Sequence, residues 1–569
     1  MRPLVLAIGL ALCPALAGAQ QRDTILTGDR LPRDVAREAV ALFNATTTIR
    51  AVDRLEIPAG RTVPGDVAVL NGPVIIGGHV AGRVLAINAD VLLQRGAQID
   101  GDLLVVGGEV EGSIGAAIGG EIRIYHPPLR YTQEGDRLVA VVDAPAAEDQ
   151  WWRRFEPHRE SNSNRLEIAN AGVYNRVEGL PVRIGPVLYR DQGWGHLRLD
   201  AFAILRTGSS FSSSTADVGN LLHGEIRAGR EFGVTFGGRL FDVVDGVENW
   251  QLSNTEVGLA SFMFRRDYRD YYGRHGGQLY AALRATDNAD LTLSYGDERW
   301  RSREARNPMS VFNGERTWRD NPRLDAGRFH VANVTVRMDT RNDPLNTWAG
   351  WYLLADFERG TGTIDDPAPV SLGVRALPTG PTRYQRGFLD VRRYNRLAPN
   401  AALNLRVALG GWLSGDPLPL ERRLSIDGPG TVPGFDFRSP TIEDVGTCAT
   451  AGGDAPPGRP AQCERIALAQ LEYRNDLHLS IPDWRRTATP NRFRLDGAWV
   501  FFADAGRGWL VNAPGTALNY GRSELPPLST YRTDIGAGLD FDLLGIYVAK
   551  ALSVPQEPAN VFLRLRRRF

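Results

Sequence analysis

The sequence contains almost no lysine and no excess of either charge. Of its 66 basic residues only Lys550 is a lysine, and 66 acidic residues bring the formal net charge to zero. A nucleic-acid-binding protein needs a basic excess to neutralise phosphates, so this class is disfavoured. The only apolar run that approaches the length of a membrane-spanning helix is at the N-terminus, which excludes a polytopic helical membrane protein. A soluble protein or a β-barrel remains, because barrel strands do not raise the mean hydropathy.

Sequence signatures of enzymes and metal sites are also missing. The chain has no G-x-S-x-G, HExxH or P-loop sequence, and its 8 histidines are scattered along it. We therefore expect a protein that is not an enzyme, with no catalytic residue, metal site or cofactor. A hydrolase whose triad is assembled from distant residues is the alternative, since it would leave no local signal.

The N-terminus and the cysteines indicate export from the cytoplasm. An apolar stretch follows a basic residue and ends in the small residues Ala17 and Ala19, so residues 1–19 are predicted to be a signal peptide. Downstream, Cys448 and Cys463 flank one segment rich in Gly and Pro. In an oxidising compartment they are predicted to form a disulfide, with two free thiols as the alternative.

An apolar-x-Gly-x-apolar pattern occurs four times between residues 51 and 125, around Gly65, Gly82, Gly101 and Gly112. The spacings are 17, 19 and 11 residues, and the first two are close to one coil of a β-solenoid. Short aliphatic runs lie between the glycines, as expected where each coil turns a corner that only glycine fits. The pattern predicts a small solenoid that resembles the β-helix of bactofilins, with a Gly-rich β-sandwich as the alternative.

The flanks of this repeat have different character. Residues 30–44 place Leu31, Val35, Ala39 and Leu42 on one helical face, so the segment 20–50 is predicted to hold a helix that caps the open end of the solenoid. A helix lying on a membrane surface is the alternative. After the repeat the pattern breaks up, and residues 126–165 are predicted to be a linker.

From residue 166 to residue 569 the chain alternates between apolar and polar residues. Val334 and Val336, for example, alternate with Thr335 and Arg337. Charged residues on one face of a strand suit a barrel whose other face meets lipid, and long polar segments between strands suit extracellular loops. The sequence therefore predicts an all-β fold, a transmembrane antiparallel β-barrel preceded by a small periplasmic β-solenoid with one capping helix.

The last residues of the chain continue this alternation. Val561, Leu563 and Leu565 share one parity, and the chain ends at Phe569. A terminal aromatic residue on an alternating last strand is the signal that outer-membrane assembly machinery recognises, so Phe569 is predicted to be that signal. Arg567 places a charge on the outward parity, which snorkelling at the membrane edge makes tolerable.

Four segments, in order, resemble motifs of the BamA/TamA surface-antigen superfamily of barrels, which assemble or translocate outer-membrane and secreted proteins. They are Asp339-Thr340-Arg341-Asn342-Asp343-Pro344 followed by Gly350, Val432-Pro433-Gly434-Phe435, Leu471-Glu472-Tyr473-Arg474 and Phe502-Ala503-Asp504-Ala505-Gly506. The resemblance covers residues 166–569 and implies a barrel of sixteen strands. It also implies that the second motif lies in a long loop folded back into the lumen.

A charge pair is expected to hold this loop in place. In the superfamily an arginine of the loop reaches carboxylates of the barrel wall; here Pro433 occupies that position and Arg438 is the nearest substitute. Parity places Glu472, Arg474 and Asp504 in the lumen, and a buried pair can hold a loop if both partners are hydrogen-bonded. We therefore predict that Arg438 pins the loop to Asp504 or Glu472, with an untied loop as the alternative.

The resemblance implies insertion or translocation of proteins at the bacterial outer membrane, by pairing of a client strand with an opened seam. Members that handle clients carry POTRA modules in the periplasm, and this chain has the solenoid instead. The alternative is therefore a structural or pore-forming outer-membrane protein whose solenoid tethers it to the periplasm or cell wall. Expected partners are outer-membrane lipid, client β-barrel or secreted proteins and a periplasmic or cell-wall partner of the solenoid, with no nucleic acid.

Overall fold

The structure, a computed structural model, describes residues 24–26, 31, 33–52, 54–112, 115–125, 127–134, 137–140, 163–208, 217–229, 233–286, 288–312, 317–341, 347, 349–371, 374–398, 401–438, 460–482, 492–513, 519–541, 544–565 and 567–569. The chain divides into two units, Met1–Ala144 and Pro145–Phe569. Within the described residues no helix has the length and hydrophobicity needed to cross a membrane. The predicted signal peptide, Asp343 and Cys448 lie outside the described residues.

The first unit is a β-solenoid of three parallel sheets. Its strands are β1 (Thr24–Leu26), β2 (Ile49–Val52), β3 (Leu55–Ile57), β4 (Thr62–Val63), β5 (Val67–Leu70), β6 (Val74–Ile76), β7 (His79–Val80), β8 (Val84–Ile87), β9 (Val91–Leu93), β10 (Gln98–Ile99), β11 (Leu103–Val106), β12 (Val110–Glu111), β13 (Ala117–Ile118) and β14 (Ile122–Tyr125). The sheet orders are β1-β14-β11-β8-β5-β2, β13-β10-β7-β4 and β12-β9-β6-β3. Each coil therefore adds one short strand to each sheet, and its edges pair with the coils above and below.

A column of stacked glycines sets the length of the coil. A Cβ on Gly82 would lie 2.4 Å from the carbonyl carbon of Gly65, and one on Gly101 would lie 2.8 Å from that of Gly82. Gly120 continues the column, since its Cβ would lie 2.6 Å from the carbonyl carbon of Gly101. The coil spacing is thus 17, 19 and 19 residues. The prediction of Gly112 as the fourth repeat is wrong, because this residue lies outside the column.

Helix α1 (Arg33–Asn44) covers the outer face of the six-stranded sheet. In β5, Val67 and Val69 point into the solenoid core, while Ala68 and Leu70 pack against the helix. All four residues are buried, as a continuous apolar run indicates for a parallel strand covered on both sides. The predicted position of the helix as a cap over the open end is therefore wrong, because its apolar stripe packs across stacked strands.

A hairpin follows the last coil, in the segment predicted to be a linker. It consists of β15 (Tyr131–Glu134) and β16 (Arg137–Ala140). The Asn44 side chain at the end of α1 donates to the Leu138 carbonyl at 2.7 Å and accepts from the Leu138 N–H at 2.9 Å. Leu138 is buried beside the helix, so the hairpin extends the covering layer of the six-stranded sheet.

The second unit is a barrel-like sheet of seventeen strands in sequence order. They are β17 (Ser163–Asn170), β18 (Pro181–Gln192), β19 (Gly195–Arg206), β20 (Val218–Ala228), β21 (Gly233–Val247), β22 (Asp270–Thr286), β23 (Ala289–Ser302), β24 (Ala326–Asp339), β25 (Gly350–Asp366), β26 (Gly380–Ala398), β27 (Ala401–Gly415), β28 (Arg465–Pro482), β29 (Arg492–Val511), β30 (Asn519–Tyr520), β31 (Arg532–Phe541), β32 (Leu544–Ala551) and β33 (Asn560–Arg564). The two-residue β30 pairs in parallel with β29, and the other sixteen form an antiparallel series in which β31 also pairs with β29.

Because neighbouring strands are antiparallel, their connections fall alternately at two ends of the sheet. One end, here called the turn end, carries the connections 193–194, 229–232, 287–288, 340–349, 399–400, 483–491 and 542–543. The loop end carries 171–180, 207–217, 248–269, 303–325, 367–379, 416–464, 512–531 and 552–559. Helix α2 (Asn254–Phe264) lies in the third of these loops and begins with a capping box between Ser253 and Glu256.

The two faces of this sheet have opposite chemistry. In β23 the outward side chains of Leu293 and Tyr295 are 47% and 55% exposed, while the inward side chains of Glu298 and Trp300 are fully buried. The same alternation runs through the other strands, with leucine, valine and phenylalanine outside and arginine and carboxylates inside. An apolar outer face around a charged interior is typical of a barrel in lipid.

Candidate functional site

Residues 418–438, in the connection between Gly415 and Arg465, fold into the interior of the sheet. Among them, Leu418, Ile426, Val432 and Phe435 expose 1% or less of their surface. Ile426, Val432 and Phe435 pack in one cluster with inward-facing side chains of the wall. We call residues 418–438 the lumen loop. It contains the predicted Val432–Phe435 motif and places it inside the barrel-like sheet, as the resemblance implies.

The tip of the lumen loop docks on the strands near the C-terminus. The Gly434 N–H donates to Asp534 of β31, and the Pro433 carbonyl accepts from the Asn560 side chain of β33 at 3.2 Å. A Cβ on Gly434 would lie 2.6 Å from the Asp534 Cβ and 2.8 Å from the Ala551 nitrogen. Only glycine therefore allows this close approach. Gly434 is therefore required by the packing of the tip, whereas Pro433 contributes its carbonyl.

A charged residue and an aromatic ring support the same tip. Arg532 forms an ion pair with Asp427 at 2.5 Å, and its guanidinium lies 4.7 Å from the centre of the Phe435 ring. Arg532 and Asp427 are both buried, so their mutual charge compensation is needed. The tip is thus held by backbone, ionic and cation–π contacts to one short stretch of β31.

Gly506 of the fourth motif makes room for the loop on the wall. A Cβ at this position would lie 2.8 Å from Ile426 Cγ2 and 2.9 Å from Val432 Cγ2. The same motif supplies Phe502 and Asp504, whose side chains are also inward and buried. The spacing of two residues therefore places one aromatic ring, one carboxylate and one gap on a single face of β29, beneath the lumen loop.

Arg438 does pin the lumen loop, but to partners other than the predicted ones. Its guanidinium binds Glu248 at 2.6 Å and also binds Asp270, and its Nε donates to Ser425 at 3.3 Å. All of these ionic groups are at most 2% exposed. Burial alone would lower the pKa of Arg438, but the carboxylates of Asp270 and Glu248 raise it, so the side chain stays charged. The predicted pairing with Asp504 or Glu472 is wrong.

Asp270, at the loop end of β22, also forms ion pairs with two other arginines. Arg176 binds its Oδ1 at 3.0 Å and Arg319 at 2.8 Å, while Arg438 binds its other oxygen. These three arginines come from three different loop-end connections, so one carboxylate joins them. Sequence reasoning missed Asp270 and Glu248. The only signal was that each borders a loop-end connection, a position shared by many acidic residues.

Glu472 and Arg474 face the interior, as parity predicts, and form a separate group. Arg474 binds Asp540 at 2.5 Å and Glu472 at 3.3 Å, and Asn404 donates to Glu472 at 3.2 Å. All three charged residues are buried. This group links side chains of β27, β28 and β31 inside the sheet, and it does not include Arg438.

Asp504 binds the C-terminal tail of the chain. Its carboxylate accepts from Arg568, whose guanidinium lies 3.7 Å from the centre of the Phe502 ring. Asp534, which holds the loop tip, lies directly opposite Asp504 in the β29–β31 ladder. The lumen loop and the C-terminal tail therefore converge on two neighbouring carboxylates, and this convergence is the candidate site.

The tail leaves the wall after β33 and turns inward. Arg564 binds Glu256 of α2 at 2.5 Å, and Arg567 donates to the Thr347 carbonyl at 3.0 Å. Phe569 is buried, with its ring 6.4 Å from that of Tyr394. The prediction that Phe569 ends the last strand is wrong, because that strand ends at Arg564. The outward parity predicted for Arg567 fails for the same reason.

The first strand motif lies at the turn end. Asp339 and Arg341 form an ion pair at 2.9 Å, and Arg341 lies 4.8 Å from the centre of the Tyr352 ring. Gly350 has a φ of 118°, and a Cβ there would lie 2.4 Å from the Thr340 carbonyl oxygen. The motif thus closes the β24–β25 turn. Asp343, its remaining acidic residue, falls outside the described part of the chain.

Cys463 is buried just before β28, after the lumen loop. The Cys463 N–H donates to the Leu424 carbonyl, and the Cys463 carbonyl accepts from the Leu424 N–H, each at 3.0 Å. These two bonds join the lumen loop to the segment that leads into β28. The predicted partner of Cys463, Cys448, lies outside the described residues, so the disulfide stays a prediction. In the described part of the chain no group of three or more metal-binding side chains is present.

Comparison with known proteins gives distant structural likenesses. No protein-family model matches the chain, and no curated protein matches it. BamA from Haemophilus ducreyi lacking POTRA domains 1–3 is similar at 14% identity and a TM-score of 0.39, over 71% of this chain and 70% of that one. CdiB from Escherichia coli is similar at 12% identity and 0.30, over 77% and 67%. CdiB from Acinetobacter baumannii is similar at 11% and 0.28, over 71% and 65%.

Proposed function

We propose that the chain is a bacterial outer-membrane protein that inserts or translocates other proteins, with its N-terminal unit in the periplasm. The proposed clients are β-barrel or secreted polypeptides with an unpaired strand. The mechanism needs no covalent step and no cofactor, since a strand that joins the edge of a sheet is bound by backbone hydrogen bonds.

The outer face of the second unit supports the membrane placement. Large apolar side chains on most of the antiparallel strands are exposed there, among them Leu166, Leu279, Val561 and Leu563, each more than half exposed. A soluble protein rarely exposes such a continuous apolar surface, whereas lipid covers it without cost. The buried charges inside supply the polar interior that such a barrel requires.

The observation that carries the proposed activity is the pair of open strand edges. In the described residues β17 pairs only with β18, and β33 pairs only with β32. Among the described residues, the first and last strands of the series therefore each have one edge along which no other strand pairs. In a membrane the backbone groups along such an edge need partners, so these edges favour the addition of a client strand.

The β17 edge can be assigned in more detail. Leu166 lies opposite Pro186, which has no N–H, and Pro186 is also where the β18–β19 pairing is interrupted. The Ala171 N–H, directly after β17, donates to the Pro181 carbonyl at 2.8 Å, so the backbone groups of the odd-numbered residues of β17 face β18. Leu166 and Pro186 are then a non-hydrogen-bonded pair, and the Leu166 N–H points to the free edge. A proline at position 166 would remove a donor from this edge and leave the β17–β18 ladder intact.

This geometry gives a test in the native organism. Depletion of the protein, followed by complementation with wild type, Leu166→Pro or Leu166→Val, separates edge pairing from folding. We expect depletion to lower the levels of other outer-membrane barrels, and Leu166→Val but not Leu166→Pro to restore them. Heat-modifiable migration of each variant in detergent gels shows whether the barrel itself has folded. Full rescue by folded Leu166→Pro would contradict strand addition at this edge.

The solenoid favours a second candidate, a structural protein that tethers the envelope without handling clients. The observation behind it is a small polar cluster on the outer face of the sheet that contains β7 and β10, where the exposed Asp100 contacts His79 and Gln98. A passive pore is disfavoured because the lumen loop fills the interior with buried side chains. Depletion that alters envelope shape but leaves the levels of other barrels unchanged would favour the tether.

A further inference from the structure

Five arginines form a cluster on the outer face of the second unit. They share the outward parity of β23–β26, a position in the half of the strand nearer the loop end and an exposed side chain, and we call them the arginine band: Arg299, Arg301, Arg328, Arg359 and Arg383. Their inward neighbours Glu298, Trp300 and Phe329 are buried, which fixes their orientation. They are therefore not part of the charge network inside the barrel-like sheet.

The band has more positive charge than its surroundings neutralise. Arg328 binds Asp297 at less than 3 Å, and Arg299 lies 3.6 Å from Asp365, all with largely exposed side chains. Among the described residues the side chains of Arg301, Arg359 and Arg383 have no carboxylate partner within ion-pair distance. Beside the band, the exposed Asp416 carboxylate accepts the Arg383 backbone N–H at 2.8 Å, and His330 lies 3.8 Å from Asp297. Counted against Asp297, Asp365 and Asp416, the five arginines keep an excess of two positive charges.

The band lies next to the apolar part of the same strands. Along β24 the outward residues change from Arg328 and His330 at the loop end to Val334 and Val336 towards the turn end. Along β25 they change from Arg359 to Phe357 within two residues. This boundary is where a barrel leaves the hydrocarbon core and meets the lipid headgroups of the leaflet at its loop end.

A groove in the apolar surface begins beside the band. It has a volume of about 1140 Å³ and extends from β17 to Tyr295 and Asp297 of β23. Outward glycines form its floor: a Cβ on Gly238 would lie 2.9 Å from Leu279 Cδ2, and one on Gly277 would lie 2.9 Å from Leu240 Cδ2. Missing side chains at these positions leave a channel walled by leucines.

We propose that the arginine band and the glycine-floored groove together bind one class of ligand, an anionic lipid with phosphate in its headgroup. The guanidinium groups are suited to bind phosphate oxygens in pairs, and the groove is suited to an acyl chain. The inference rests on the membrane placement in the proposed function. It goes beyond that function because it assigns a lipid site on the outer surface, which reaches the β17 edge only at the far end of the groove and does not involve the lumen loop.

The test uses the full-length protein in a neutral detergent and counts bound lipid by native mass spectrometry. The probes are diphosphorylated lipid A, its dephosphorylated form, phosphatidylcholine and inorganic phosphate. We expect wild type to retain lipid A and to lose at least about tenfold in affinity when Arg301, Arg359 and Arg383 are all changed to Gln, since each interfacial arginine contributes to binding an anionic lipid. Dephosphorylated lipid A and phosphatidylcholine should be retained weakly by both proteins.

Two further variants separate the parts of the site. The matched control changes Arg190 and Arg393, which share the outward parity at the turn end, to Gln, and it should leave lipid A retention unchanged. Gly238→Val should narrow the groove and weaken lipid A without changing the response to inorganic phosphate. Heat-modifiable migration confirms folding of every variant.

Equal retention of lipid A by wild type and the triple variant would overturn the site, as would equal retention of its dephosphorylated form. Saturation by inorganic phosphate alone would reduce the site to a free-anion site and would overturn the role of the groove. These results would leave the proposed function standing if the protein fractionates with the outer membrane. A soluble periplasmic protein would instead overturn the membrane placement.

Discussion

The two units of this chain use the same alternation of side chains in opposite ways. In the solenoid the alternate residues inside are valine, isoleucine and leucine, and charged pairs such as Asp66–Arg83 lie outside. In the barrel-like sheet the inner residues are largely arginines and carboxylates, and leucines lie outside. Strand geometry is the same in both, so the medium around each sheet decides which face is apolar.

The position of the charges also changes their energetic role. The side chains of Asp66 and Arg83 are 21% and 48% exposed, and such a surface pair contributes ~0–1 kcal/mol. Arg438 and Glu248 are each 2% exposed, so the loss of one partner would leave the other charged and without water. The solenoid is therefore stabilised mainly by its core, and the interior of the barrel-like sheet depends on buried ion pairs such as Arg438–Glu248.

The largest effect is expected from a broken charge network inside the barrel-like sheet. Asp270→Ala would leave Arg176, Arg319 and Arg438 around an empty position, and loss of one partner in a buried network costs ~3–5 kcal/mol. The expected result is a large drop in the temperature at which the folded gel band converts to the heat-modified form. Protease cleavage within the lumen loop should increase at the same time.

The exposed carboxylate of Asp365 provides the matched control for this change. It lies 3.6 Å from Arg299 and is 53% exposed, so Asp365→Ala should lower stability by less than ~1 kcal/mol. Similar losses for the two variants would mean that the interior is hydrated enough to screen its charges, and the contrast between buried and surface pairs would then fail.

A cavity in the solenoid is expected to have the next largest effect. Leu103 is fully buried in the inner core, and Leu103→Ala should cost ~2–5 kcal/mol. Leu293 on the outer face of β23 is 47% exposed, and Leu293→Ala should cost less than ~1 kcal/mol in detergent. Hydrogen exchange of the full-length protein, read separately on peptides of β5–β11 and β22–β24, measures both. Equal loss of protection would show that the outer leucines are packed rather than lipid-facing.

The sequence indicated the faces of the strands but not the partners across the lumen. Alternation correctly predicted that Glu472, Arg474 and Asp504 are inward, because parity is a local property of a strand. Arg438 binds Glu248 and Asp270, 190 and 168 residues away, and several buried carboxylates of the right parity were equally compatible. Which one lies nearest depends on the path of the loop and the stagger of all the strands between them.

Two other differences have equally physical causes. The helix of residues 33–44 shows one apolar stripe, and a stripe does not distinguish the end of a solenoid from its face. The apolar runs of β5, β8 and β11 were the signal for the face, because all four residues of each strand are buried. At the C-terminus the alternation continues in sequence through residue 565. Arg567 and Arg568, however, bind the Thr347 carbonyl and Asp504 in the interior, so the tail leaves the wall.

A smaller effect is expected at the lumen loop tip. Its glycine allows the loop to pack against β31, whereas the glycines of the solenoid allow neighbouring coils to stack. Gly434→Ala would place a Cβ 2.6 Å from that of Asp534, so the tip must move away from β31, at a cost of ~1–3 kcal/mol. Hydrogen exchange should rise in residues 424–438 and stay unchanged in the solenoid. Gly82→Ala, which crowds the glycine column, should give the reverse pattern. Matching exchange patterns in the two variants would contradict the assignment of each glycine to packing within its own unit.

The smallest effect concerns the pair that fastens the helix to the solenoid. Arg123 donates twice to Glu38, at 2.6 and 2.9 Å, and this hydrogen bonding lowers the pKa of the Glu38 carboxyl below its ordinary value of 4.5. The pair therefore stabilises the folded unit fully above pH 4.5, and its contribution is lost as the pH falls through the lower, folded-state pKa. The Glu38 side chain is 40% exposed, so solvent screening limits the gain to less than ~1 kcal/mol.

Protection of the helix peptide from hydrogen exchange, corrected for the intrinsic pH dependence, should thus weaken on acidification in wild type. In Glu38→Gln the protection of the helix peptide should already be weaker at neutral pH, and the additional loss on acidification should be absent. An unchanged acid response in Glu38→Gln would assign the pH dependence to another carboxylate and would leave the helix held by its apolar stripe alone.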